Sequence, residues 1–220
     1  VGNMEVCSRN RELTHLLNVQ KTLGLIDDLD ALGKKILFLS TGAVFDGMKG
    51  HYKEDDPASP INEYGKQKFI VEKYLFTRVP SALIVRLSKV ISSSPREAHL
   101  LSEWNRILKE KGTIFCIDNE IFCPTLVNDI AAALLKAITS NLTGLYHMAN
   151  QEVFSRFSLA REFVSAFGCI DSVEIRPLEY FGCVEPRPLD TSLVSEKLIS
   201  HIGMEFTPVK YIIRNFREQM

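Results

Sequence analysis

The sequence predicts an α/β fold: a doubly wound parallel sheet with helices on both faces and a small carboxyl-terminal α/β cap. Three observations predict it. Short unbroken apolar runs at 36–39 (Ile-Leu-Phe-Leu) and 82–85 (Ala-Leu-Ile-Val) suit parallel strands buried on both faces. Segments with apolar residues at helical spacing alternate with these runs, and parallel strands need such crossovers. After residue 122 the texture changes to shorter, closely spaced elements.

The elements follow in order. Residues 9–32 carry Leu13, Leu16, Leu17, Val19, Leu23, Ile26, Leu29 and Leu32 at helical spacing, and Gly33 supplies a stop. The strand at 36–39 comes next. Residues 42–62 contain Gly42, Gly47, Gly50, Pro57, Pro60 and several acids, an irregular connection of a length that is usually functional or disordered. The pattern then predicts a helix over 64–76, a strand at 82–85, a helix over 99–111 and a strand at 113–118. Beyond Phe122, a helix is expected over 128–139 with Asn128 or Asp129 at its cap, then a strand at 144–148. A helix capped by Ser155 or Ser158 should run to 167 and end at Gly168. A strand at 173–176 and helices near 192–201 and 208–218 complete the chain. The division expected is a core of 1–122 and a cap of 123–220 interleaved with it.

Composition limits the partners. The chain has 220 residues, 45% hydrophobic and 24% charged, the balance of a soluble globular protein. A net charge of -1 with scattered Lys and Arg gives no footprint for nucleic acid or an anionic membrane surface. No apolar run approaches the ~20 residues of a membrane helix, and the amino terminus lacks a signal-peptide layout, so a cytoplasmic location is expected. Cys7, Cys116, Cys123, Cys169 and Cys183 are odd in number and lack C-x-x-C spacing, which points to reduced thiols and away from a metal site.

Two segments carry chemistry. Ser40, Thr41, Gly42 and Ala43 follow a buried strand, and ligands of open α/β sheets bind just outside the carboxyl ends of strands. In Tyr64-Gly65-Lys66-Gln67-Lys68, Tyr and Lys at i and i+4 share one helix face. A tyrosine with a pKa of about 10 is a poor acid–base group at neutral pH, and a nearby ammonium lowers that value. Such a phenol exchanges a proton with a carbonyl or alcohol oxygen, and Thr41 or Ser40 holds the same oxygen in line. The spacing alone also fits a solvated Lys beside a half-buried Tyr.

The surroundings of that pair are specific. Leu39-Ser40-Thr41-Gly42-Ala43-Val44-Phe45-Asp46-Gly47, then Tyr52-Lys53-Glu54-Asp55-Asp56, then Pro60-Ile61-Asn62-Glu63-Tyr64-Gly65-Lys66-Gln67-Lys68 resembles the extended short-chain dehydrogenase/reductases, and most closely the dTDP-4-dehydrorhamnose reductase family. Val85-Arg86-Leu87-Ser88, Pro124-Thr125 before Val127-Asn128-Asp129-Ile130-Ala131, Gly144-Leu145-Tyr146-His147, Arg187-Pro188 with Leu193 and Lys197-Leu198, and Asn18 extend the likeness over nearly the whole chain.

The resemblance implies a Rossmann-like doubly wound sheet, with 1–122 a partial nucleotide-binding core and 123–220 a substrate-binding cap. It implies an NAD(P)-dependent reductase of a 4-keto nucleotide-diphosphate sugar, with Thr41, Tyr64 and Lys68 catalytic. Ser40, Tyr64, Lys68, Arg86 and Ser88 would face NADP or NAD. Thr41, Gly42, Ala43, Lys89 and Arg187 would face the nucleotide-diphosphate sugar, and a homodimer is the assembly entertained. Arg187 reads equally as a surface arginine beside a turn proline. A sugar-nucleotide epimerase holding NAD tightly and a non-catalytic regulatory subunit like the methionine adenosyltransferase beta subunit are the alternatives.

This sequence departs from the family in three places. It contains no G-x-x-G-x-x-G turn to seat a cofactor pyrophosphate on a helix amino terminus, so an amino-terminally truncated sheet and weak cofactor binding are expected. Gly42-Ala43 stands where the reductases carry Asp-Tyr, and Lys89 where they carry Trp near the sugar. Lys89 is open to a phosphate, an acidic sugar or solvent.

Overall fold

The structure is a computed structural model that describes residues 1–169, 171–176 and 181–220. Its centre is a parallel sheet of β1 (Leu37–Thr41), β2 (Leu83–Leu87) and β7 (Gly144–Met148), in that spatial order. The register sets Leu39 beside Val85 and Val85 beside Tyr146. α3 (Thr22–Ala31) and α4 (Glu63–Arg78) cover one face, where Ile26, Val71 and Leu75 pack on Ile84. α6 (Val127–Thr139) and α8 (Glu196–Ile202) cover the other, where Ile130, Ala133 and Leu198 pack on Leu83 and Val85. Apolar contact on both faces is why β2 reads as a continuous hydrophobic run.

A second core lies beside the sheet. α5 (Leu100–Lys111), α7 (Arg156–Ala166) and α9 (Val209–Glu218) enclose Leu101, Trp104, Phe163, Ile212 and Phe216. Short strands tie the layers together. β3 (Val90–Ile91) pairs with β6 (Thr125–Leu126), and β4 (Ile114–Cys116) with β9 (Val173–Ile175), both parallel. β5 (Ile121–Phe122) pairs antiparallel with β8 (Phe154–Ser155). Residues on both sides of position 122 thus build this second core. The physical reason is that α3, α4, α6 and α8 already occupy both sheet faces, so the apolar stripe of α5 packs on α7 and α9.

Several elements differ from the sequence reading. The helix read over 9–32 begins earlier and is interrupted: α1 (Met4–Arg9), α2 (Arg11–His15), a π-helical turn at Leu16–Lys21, then α3. Asn3 caps α1 through a bond from Val6 N–H, and Asn10, at φ -125, breaks the run. Neither expected side chain caps α6; Asp129 instead accepts from the backbone and hydroxyl of Thr207, tying α6 to the start of α9. Of the two candidates for α7, Ser155 is the cap. α8 starts only at Glu196, because Ser192 and Val194 are engaged with Tyr52: Tyr52 N–H donates to Ser192 at 2.9 Å and Val194 N–H to Tyr52 at 2.8 Å.

The long connection at 42–62 is ordered, and Tyr52 is its hub. The Tyr52 ring stacks on Phe45 with centroids 4.0 Å apart. Its hydroxyl donates to Asp46 Oδ1 at 2.7 Å and accepts from Gly47 and Lys49 N–H at 3.1 Å each. Gly47 has φ +80, and a Cβ there would sit 2.5 Å from the Leu189 nitrogen. Only glycine fits that close approach, and it brings Arg187-Pro188 against the carboxyl end of β1.

Candidate active site

Thr41 ends β1 and turns the chain into a single 3₁₀ turn at Gly42–Val44, its hydroxyl accepting from Ala43 N–H at 3.1 Å. α4 starts nearby, capped by Asn62, whose side chain accepts from Gly65 N–H at 2.9 Å. The approach of α4 to the turn is very close: a Cβ on Gly65 would lie 2.1 Å from the Ala43 carbonyl oxygen. Glycine at that position lets the helix dock, and docking carries Tyr64 to Thr41. The Thr41 hydroxyl stands near the Tyr64 phenol and favours its ionised form.

Both residues line a cavity of about 290 Å³ at the carboxyl end of the sheet, with Gly42, Ala43, Ser88, Lys89 and Arg187. Met4, Glu120, Phe122 and Thr191 also line it and were not singled out in the sequence. They come from α1, from β5 and the turn before it, and from the carboxyl-terminal segment, three places distant in sequence. A glycine in the first turn of a helix, as in Tyr64-Gly65, was the one available signal that backbone passes closely there.

The electrostatics correct one expectation. Burial pushes the Tyr64 phenol above its ordinary value of 10.0, against the nearby Thr41 hydroxyl, which lowers it. Lys68 is not among the groups that move it. Its ammonium donates to the Leu39 carbonyl at 2.8 Å and lies 4.7 Å from the centroid of the Phe38 ring. Burial pulls Lys68 below its ordinary value, opposed by Glu72. Tyr64 therefore stands protonated at neutral pH, the form that donates a proton.

One residue expected at the cofactor, Arg86, is turned away from the cavity, and two others are buried or partly committed. Arg86 is 3% exposed and forms a bidentate pair with Glu72, at 3.0 Å from Nε and 2.6 Å from Nη2, with its guanidinium over the Phe45 ring. It points from β2 into the layer beneath α4 and lines no part of the cavity, so it is a buried structural cation. Ser40 is also buried, and its hydroxyl has no hydrogen-bond partner. Ser88 does line the cavity, but its Oγ accepts from Cys123 N–H at 2.9 Å. Arg187 reaches Glu5 at 3.1 Å through Nη2, and its Nε is buried without a partner. Arg187 is thus half-buried, on the wall of the cavity.

Parallel strands wound by helices on both faces, with a Thr–Tyr pair outside the carboxyl end of a strand, define a Rossmann-like α/β protein of the extended short-chain dehydrogenase/reductase kind. The chain belongs to the RmlD substrate binding domain family, whose model matches residues 3–220. Among curated proteins it is 28% identical over 191 residues to a dTDP-4-dehydrorhamnose reductase of Mycolicibacterium smegmatis, covering 84% of this chain and 58% of that protein. It is 27% identical over 222 residues to methionine adenosyltransferase 2 subunit beta of Danio rerio, covering 96% and 68%. A crystal structure of dTDP-4-dehydrorhamnose reductase from Bacillus anthracis in complex with NADP has the same fold, with a TM-score of 0.90 at 23% identity, covering 100% of this chain and 78% of that one.

Proposed function

We propose that this protein takes part in the NAD(P)H-dependent reduction of a 4-keto nucleotide-diphosphate sugar, with Tyr64 as the proton donor. One observation carries the reading: a protonated phenol and the Thr41 hydroxyl line the same cavity at the carboxyl end of β1, close enough for the hydroxyl to act on the phenol's pKa. The names of the relatives supply the substrate class.

The residues present suit the nicotinamide end of the cofactor. Ser40 has a buried hydroxyl with no partner next to Thr41, and Lys68 stands one helical turn from Tyr64. Tyr64, Lys68 and Ser40 would hold that end, and the cofactor when bound supplies the hydride. Thr41 Oγ1 orients the sugar carbonyl oxygen. Tyr64 Oη gives its proton to that oxygen, and the Thr41 hydroxyl favours the phenolate left behind. Gly42 and Ala43 leave room beside the carbonyl, where a side chain at 42 would meet the Thr191 carbonyl at 3.1 Å.

The test is Tyr64→Phe assayed with NADPH and a dTDP-4-keto-6-deoxyhexose. Loss of a general acid removes roughly 10²- to 10⁴-fold in kcat, with cofactor affinity nearly unchanged. Turnover within a few-fold of the parent would refute the assignment. A second reading, a binding subunit without turnover, is favoured by one observation: the Lys68 ammonium is already occupied by the Leu39 carbonyl. Stable co-elution with a methionine adenosyltransferase, with no NADPH consumed on any keto sugar, would select it.

A further inference from the structure

Two hollows of the molecule meet at one lysine. Lys89 lines the 290 Å³ cavity that holds Thr41 and Tyr64, and also a cleft of about 910 Å³ bordered by Arg96, His99, Arg106 and Arg156. Its backbone is fixed: Thr125 N–H donates to the Lys89 carbonyl at 2.8 Å, immediately before β3 pairs with β6. Its ammonium is not fixed. Among the described residues it has no hydrogen bond and no ion pair.

The neighbouring cations are differently placed. Arg156 is held bidentately by Glu120, at the start of α7. Arg187 shares Nη2 with Glu5, but its Nε–H is buried and unpartnered. The Lys89 ammonium therefore reaches the cavity without an acceptor, while Arg187 lines the same wall with its Nε–H closed off. A half-buried ammonium without an acceptor loses part of its hydration, and an anion entering the cavity would restore what burial removes. Glu120 and the exposed Glu103 face the Lys89 ammonium, and Arg156 and Arg187 oppose it. Burial, followed by the two arginines, pulls Lys89 below its ordinary value, and a bound anion would reverse that pull.

We propose that Lys89, with Arg187 on the same cavity wall, forms an oxyanion subsite, which takes a phosphate or carboxylate oxygen of the substrate where it passes from the Tyr64 cavity into the larger cleft. The subsite deepens the reductase reading and rests on it for the identity of the substrate, though not for the presence of an anion. A nucleotide-diphosphate sugar has such oxygens in its diphosphate link, and a sugar acid has them on the ring substituent. The size of the cavity fits a sugar, and the cleft beyond Lys89 leaves room for a nucleoside. Lys89 then separates acidic or phosphorylated ligands from neutral ones.

The experiment titrates the parent, Lys89→Gln and Lys89→Arg by calorimetry with three probes: inorganic pyrophosphate, dTDP-glucose and dTDP-glucuronate. A lost charge-assisted hydrogen bond weakens binding roughly 10- to 100-fold, and Lys89→Arg should restore most of it. Equal losses for both nucleotide sugars identify the diphosphate as the occupant. A loss confined to dTDP-glucuronate identifies the sugar carboxylate. If pyrophosphate alone binds and loses affinity in Lys89→Gln, the subsite stands and the nucleotide-sugar reading fails. Unchanged affinity of every probe in Lys89→Gln, or no binding of any probe to the parent, overturns the proposal and leaves Lys89 as a counter-charge to Glu120.

Discussion

Acid should loosen this fold through one buried imidazole. His147 lies on β7 beside Arg86 on β2 and is fully buried. Its Nδ1–H donates to the Tyr52 carbonyl at 3.0 Å, while Nε2 is buried with no partner. A second proton would put a charge inside the core near a buried guanidinium, which the Tyr52 and Val194 backbone offsets only in part. Burial first, and the Arg86 charge second, pull its pKa from 6.5 down to about 3. The sign follows directly. Between those values the unfolded chain binds the proton and the folded chain does not, so stability rises with pH through that window. The contribution is nearly complete at pH 7 and is lost as the pH falls below the unfolded value. Each unit of pH in the window removes about 1.4 kcal/mol, which gives roughly 2 kcal/mol between pH 7 and pH 5. The assay is urea unfolding of the parent and His147→Gln at pH 7, 6 and 5. The parent should lose about 2 kcal/mol more than the variant over that range, whatever the stability of the variant at pH 7. Identical pH slopes in the two proteins would refute the argument.

Two further outcomes follow from the same geometry. Gly65→Ala places a Cβ against the Ala43 carbonyl, so it should destabilise by about 1–3 kcal/mol despite the better helix propensity of alanine; thermal unfolding measures this, and a stabilised variant would contradict the close approach. Arg86→Met strands the buried Glu72 carboxylate and should cost roughly 3–5 kcal/mol, most of it recovered in the double variant Arg86→Met/Glu72→Met; a double variant as unstable as the single one in urea would show that the pair is not the reason Arg86 is buried.

Much of the site could be read in the sequence, and the omissions have physical causes. Thr41, Tyr64 and Lys68 stand out because a strand end and one helical turn are local features, decided by residues close in sequence. Arg86 sits in a family-like strand, but its direction depends on a carboxylate fourteen residues earlier on another element, and Glu72 claims it. The tuning of Tyr64 by Lys68 was inferred from helical spacing alone. Spacing places the two on one face without fixing where each tip goes, and the Leu39 carbonyl takes the ammonium. The loop at 42–62 looked irregular because its order comes from Tyr52 bonding to residues about 140 positions later.

The amino-acid sequence by itself determined the parallel α/β layering, because an unbroken apolar run buried on both faces and a helical stripe facing it are patterns of neighbouring residues. It also determined that a hydroxyl, a phenol and an ammonium fall near the end of one strand. Tertiary structure alone decided which side chains share the cavity. Met4, Thr41, Lys89, Glu120 and Arg187 come from across the chain, and they meet only because glycines at 47 and 65 permit backbone contacts that any Cβ would prevent. Charges inside such a cavity take their states from burial and from neighbours brought by folding, which no local pattern encodes.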